Sequence, residues 1–210
     1  MTEPADVSTR ARDLRLARTL SILSVVWGAA AALVGGTLGV ASGTLSLIGF
    51  ALDSAIDSAA SVALVWRFHL ESHDPSAAER LEHLAGRALG IVLIVAAVAL
   101  AIGAGRSLII AAELHPQAAQ TVILLASLLV LPPLAWSKGR VARRLGSRAF
   151  ANDALLTAAA GVLALVALVA GALATSFGVS WADAVGSIVI AAVLGREGLT
   201  SLHEASAGGS

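Results

Sequence analysis

The sequence predicts an all-α membrane protein, a bundle of six transmembrane helices with both termini cytoplasmic. Three observations lead there. Apolar residues make up 57% of the 210 positions and charged ones only 13%, more apolar surface than a water-soluble domain of this size can hide. The apolar residues gather into six runs, each near the ~20 residues that a bilayer core requires. The basic residues keep to alternate connections between those runs, as the positive-inside rule expects.

The runs lie near 19–40, 44–66, 88–112, 118–136, 149–175 and 179–195. Segments this apolar are helices, because lipid offers no partner to an unpaired backbone group. The first run is too long for the core of a signal peptide and is expected to stay as a helix. This divides the chain into a cytoplasmic N-terminal tail (1–18), a six-helix domain (19–200) and a short flexible tail (201–210), which leaves no room for a soluble C-terminal domain. Arg10, Arg12, Arg15 and Arg18 precede the first run. Arg67, Arg80 and Arg87 follow the second, Lys138, Arg140, Arg143, Arg144 and Arg148 follow the fourth, and Arg196 follows the sixth. In an even-numbered topology all of these fall on one side, and only Arg106 falls on the other. Read this way, the basic runs are topology signals and not lipid- or nucleic-acid-binding patches.

Several function classes drop out. The chain has no Cys, hence no disulfide framework, thiolate zinc site or cysteine nucleophile. It has no Tyr and four Phe, a poor aromatic platform for nucleic acid. No phosphate-binding glycine loop appears, and no nucleophile–base pair lies inside a span to suggest an enzyme. Gly35, Gly39 and Gly43, and likewise Gly86 and Gly90, stand four apart. Small residues at that spacing let helices approach closely, within one bundle or across a dimer seam. Pro132 and Pro133 are expected to kink or end the fourth helix.

Function is then sought in the few charged residues inside the spans. A carboxylate at the bilayer centre costs about 2.5–3.5 kcal/mol on insertion scales, and the second run carries two, Asp53 and Asp57. Four residues apart on a helix, they share a face one turn above the other. Ser54, Ser58 and Ser61 add hydroxyls to the same half of the helix. With Lys138 read as part of a cytoplasmic segment, no basic residue lies at their depth to neutralise them. Burial and mutual repulsion disfavour two bare charges there, so the pair is either protonated, holding a cation, or facing water, and it gives up protons when a cation arrives. A protonated pair that merely joins helices is the structural alternative. Asp153 and Asp183 each sit in a first helical turn. Asp183 is expected to serve a helix N-terminus, and Asp153 either does the same or admits the ion from the cytoplasm. Glu113 and Glu197 fall at span ends and read as interfacial. His69 and His73, four apart in a loop-like stretch, read as solvated residues before a surface metal site.

Four stretches resemble the cation diffusion facilitator superfamily of divalent-metal transporters, in its short six-helix branch that lacks a cytoplasmic C-terminal domain. They are Gly43-Thr-Leu-Ser-Leu-Ile-Gly-Phe-Ala-Leu-Asp53-Ser-Ala-Ile-Asp57-Ser, Ser147-Arg-Ala-Phe-Ala-Asn-Asp153-Ala, Trp181-Ala-Asp183 and Arg196-Glu197-Gly198. The resemblance implies a six-helix fold with both termini inside, and exchange of zinc or a similar ion for protons, commonly by a homodimer, here in a bacterial inner membrane. It also implies a four-ligand site in which the helix-2 pair faces a His and an Asp on helix 5. Those two places fall on Leu156 and Ala160, which ligate nothing, so half of the site is missing. The nearest substitutes are Thr157 and Asp153, and Asp153 stands roughly 4–5 Å along the axis from the missing ligand.

The expected function is therefore a proton-coupled divalent-cation transporter of efflux type, with Asp53 and Asp57 holding the ion and Asp153 assisting. The ion is substrate, Zn²⁺ or a harder ion such as Mn²⁺ because the ligands are all oxygen. No tightly bound cofactor and no nucleic-acid partner is expected; the bilayer, protons and a second copy of the chain are. The alternative is a non-transporting, metal-binding or regulatory membrane protein of the same fold.

Overall fold

The computed structural model describes residues 4–71, 75–109, 118–179 and 181–207. Among them are six helices and no strand: α1 (Pro4–Ser42), α2 (Leu45–Glu71), α3 (Pro75–Ile109), α4 (Ala118–Leu145), α5 (Arg148–Ser176) and α6 (Trp181–Ala207). Each contains a stretch long and apolar enough to cross a membrane. The helices outrun the apolar runs that predict them. α1 reaches back to Pro4 through the hydrophilic tail, and α6 continues through 201–207, because outside the lipid nothing in those segments breaks a helix. The expected end of the third span, at 110–112, lies outside the described residues.

α4 differs most from expectation. It runs unbroken over Pro132 and Pro133 to Leu145. The two rings deprive Leu128 and Leu129 of carbonyl partners, yet a membrane helix tolerates this where neighbours close the gap. Gly161 of α5 supplies the room, its Cα facing Leu131 and the Pro132 ring. The inward stripe of α4 therefore continues past the prolines through Leu134, Ala135, Lys138, Val141 and Ala142, all buried.

Two tight turns fix the helical hairpins. Gly43, at φ 72°, ends α1 and Gly146, at φ 65°, ends α4, a left-handed conformation that glycine adopts without steric cost. In both, the next residue's N–H returns to a carbonyl five residues back, Thr44 to Gly39 and Ser147 to Ala142, which satisfies a free carbonyl at the helix end. The α1–α2 turn, the start of α4 and the start of α6 meet at what we call the far end, where Gln120 donates to Thr44 Oγ1 at 3.0 Å. The start of α1, the end of α4 and the start of α5 meet at the opposite, terminal end. There Arg144 reaches Asp13 at 3.4 Å, and Arg140 stacks 3.9 Å above the exposed ring of Trp136, an arrangement suited to a membrane interface.

Packing is inverted relative to a soluble protein. Val26, Leu33, Val95, Leu129 and Leu155 point outward, while Ser46, Ser127, Lys138, Thr157, Asp183 and Ser187 are fully enclosed. Leu47, Phe50, Leu163, Ile190 and Leu194 form the apolar centre between α2, α5 and α6. Small residues set the helix spacing: a Cβ on Gly90 or on Gly198 would lie 2.9 Å from the other's carbonyl oxygen, locking α3 to α6. Gly35 and Gly39 pack in the same way on α2. These glycines are occupied within one bundle.

Candidate metal centre

α2 enters from the far end with its first N–H groups unsatisfied by its own carbonyls. Asp183 of α6 satisfies them: Oδ2 accepts from Leu45 N at 2.9 Å, and Oδ1 accepts from Ser46 N at 3.2 Å and from the Ser46 hydroxyl. Asp183 thus stands in the first turn of α6, where its charge complements that helix's dipole, while its hydrogen bonds go to the start of α2. With α2 anchored, Asp53 and Asp57 fall two and three turns further in.

Asp53 is buried, 6% exposed, and Asp57 is half-buried. One oxygen of each, Asp53 Oδ2 and Asp57 Oδ1, is enclosed and has no hydrogen-bond partner among the described residues. The serines beside them do not help. Ser54 Oγ donates back to Phe50 O and Ser58 Oγ to Ser54 O, each at 2.9 Å.

One turn beyond Asp57, Ser61 Oγ donates to Asp153 Oδ1 of α5 at 3.0 Å. α5 runs opposite to α2, so Thr157, one turn after Asp153, stands at about the level of Asp57, and Ala160 stands near Asp53. Asp153, Thr157, Ala160, Ala164 and Ala167 form the buried face of α5. Ala160, one of the two places that the resemblance assigns to the missing ligands, lies on this face, and Leu156, the other, is half-buried at its edge.

Lys138 is what the sequence reading missed. Wholly buried, its Nζ lies 2.7 Å from Asp153 Oδ2 and donates to Thr157 Oγ1 at 3.0 Å. Thr157 in turn donates to Asp153 O at 2.9 Å. The expectation that no basic residue reaches this depth is corrected here, because α4 does not stop at its prolines. Both candidate substitutes on α5, Asp153 and Thr157, are held by this one ammonium. Glu197 is the second omission. α6 extends past 195 and carries Glu197, half-buried, two turns beyond the buried Ile190. Among the described residues, no three His, Cys, Asp or Glu side chains come together closely enough to hold one metal ion. The side chains of His69, His73 and Glu113 lie outside the described residues.

A six-helix bundle that buries two unpartnered carboxylates on its second helix can hold a cation in its interior. A family model described as the cation efflux transmembrane domain matches residues 21–207. The chain belongs to the cation efflux family. Members of the cation efflux family are transporters, and this one is an integral membrane protein whose substrates are metal cations. No curated protein sequence matches it. Within this cation efflux domain, the match begins in α1, before the α2 pair, and runs to the last residue of α6, so Asp53, Asp57, Lys138, Asp153 and Glu197 all lie inside it.

Proposed function

We propose that this chain exports a divalent cation in exchange for protons, with the ion held by Asp53 and Asp57. The observation that carries the reading is the pair of enclosed, unpartnered oxygens, Asp53 Oδ2 and Asp57 Oδ1. A buried polar atom with nothing to bind is costly, and a carboxylate more so, so a ligand that completes both is stabilising. A divalent ion supplies that charge; two protons supply it when the ion leaves. The alternation of the two is exchange. The ligands are oxygens, which suits Mn²⁺ at least as well as Zn²⁺. The basic connections favour a cytoplasmic terminal end, and the family resemblance favours a bacterial inner membrane and a homodimer.

The test is metal uptake into proteoliposomes carrying an internal pH dye, with a panel of divalent ions. Asp53→Ala and Asp57→Ala should each reduce metal-dependent proton movement to the level of empty vesicles while the protein still elutes as a folded species. Parent-like transport by both variants would place the ion elsewhere. A second reading, a non-transporting metal-binding or regulatory subunit, is favoured by one feature, the apolar Leu156 and Ala160 at the α5 ligand positions. It predicts metal binding without dye response in the parent itself.

A further inference from the structure

We propose that Lys138 is a tethered cation that competes with the transported ion for Asp153, and thereby sets how tightly this chain holds a divalent metal. The inference rests on the reading that Asp53 and Asp57 form the ion site. Lys138 is the only lysine in the chain. It is fully buried, its ammonium is 2.7 Å from Asp153 Oδ2 and 3.0 Å from Thr157 Oγ1, and Ser61 takes the other Asp153 oxygen at 3.0 Å. This cluster is one helical turn from Asp57, through Ser61 on the same helix. The ammonium thus holds the two oxygen-bearing side chains with which α5 faces α2, Asp153 and Thr157, which would otherwise be free to meet a cation.

An ammonium on a flexible stem is a compact point charge with rotatable donors; a guanidinium is a fixed planar fork. Lysine is therefore the basic side chain that a metal ion can displace. With Lys138 in place, Asp153 is neutralised and the ion has only the α2 pair. With Lys138 removed, Asp153 becomes a buried, uncompensated charge, and a divalent cation at Asp57 is the nearest species able to compensate it.

The experiment is isothermal titration of detergent-purified protein with Mn²⁺ and with Zn²⁺, alongside melting temperature with and without metal. Lys138→Gln should bind at least about tenfold more tightly than the parent, since the freed carboxylate joins the site. It should melt lower without metal and gain more from metal than the parent does. Lys138→Gln with Asp153→Asn should lose that gain. Asp153→Asn alone, which leaves the ammonium free to turn to Asp57, should bind more weakly than the parent. A folded Lys138→Gln with parent affinity overturns the proposal. Should that variant not fold, parent affinity in Asp153→Asn overturns it equally. If Asp53→Ala and Asp57→Ala leave the parent's affinity unchanged, the α2 reading falls and this inference with it. If the parent binds through Asp53 and Asp57 and Lys138→Gln is no tighter, the inference falls and the α2 reading stands. If no variant binds either ion, both fall.

Discussion

Asp183 and the Asp53–Asp57 pair are buried carboxylates in the same bundle, yet they are treated oppositely. Asp183 is 1% exposed and receives three donors from the first turn of α2. Asp53 and Asp57 each keep an enclosed oxygen with no donor. A carboxylate that accepts backbone N–H groups at a helix start is stabilised by those bonds and by the helix dipole, so it needs no further partner. A carboxylate left without donors is stable only when something from outside completes it. Among the described residues, hydrogen-bond satisfaction separates Asp183 from the two acids proposed to hold the ion. Asp153 stands between the two cases: Ser61 donates to Oδ1, and Oδ2 has the Lys138 ammonium 2.7 Å away as an ion pair without hydrogen-bond geometry.

The contrast can be broken most forcefully at Asp183. Asp183→Ala strips three donors at once, and each bond to a charged group contributes on the order of 1.5–3 kcal/mol. The variant should lose about 3 kcal/mol of stability, seen as a lower denaturation midpoint in detergent, while the surviving folded fraction keeps its metal affinity. A loss of metal binding with normal stability would make Asp183 a functional acid after all.

A smaller effect is expected on α5. Leu156→His with Ala160→Asp places an imidazole and a carboxylate one turn apart, completing an N/O set that suits zinc. Zinc affinity should rise by at least about tenfold, or roughly 1.4 kcal/mol, with selectivity moving away from Mn²⁺ in calorimetric titration. A folded variant with unchanged zinc affinity would mean that this face of α5 does not reach Asp53 and Asp57.

The smallest effect belongs to Gln120, whose Nε2 donates to Thr44 Oγ1 while its Oε1 has no partner among the described residues. Gln120→Leu loses a neutral hydrogen bond but also removes an unsatisfied buried oxygen, so the two terms nearly cancel. Stability should stay within about 1 kcal/mol of the parent, and transport should be unaffected. A transport defect would show that far-end polar groups lie on the ion's path.

Much of this was legible in the sequence because it follows from one-dimensional constraints. Six apolar runs of bilayer length specify six helices, and two acids four apart specify one face. Lys138 was not, because Pro132 and Pro133 suggested that α4 stops before it. The signal was nonetheless present: Leu131, Leu134, Ala135, Val141 and Ala142 form a helical stripe with Lys138 at its centre. The same holds for Glu197, which falls on the buried face marked by Ile190 and Leu194, beyond the end of the apolar run. In both cases hydropathy located the lipid boundary, whereas helical periodicity located the interior, and the two do not end at the same residue. The role of Asp183 on α2 required tertiary structure, since 138 residues separate it from Leu45.

Because Asp183 belongs to α6 but completes the first turn of α2, the two helices cannot part at the far end without stranding three donors. Toward the other end of α6, Gly90 and Gly198 close α3 against it. The bundle therefore behaves as a tool with its pivot at one end. Any parting of α2 and α6 from α4 and α5 is then widest at the terminal end, furthest from the pivot. What spans those jaws is the Ser61–Asp153 hydrogen bond from α2 to α5, while the Lys138–Asp153 ion pair holds α4 to α5 on one side of them.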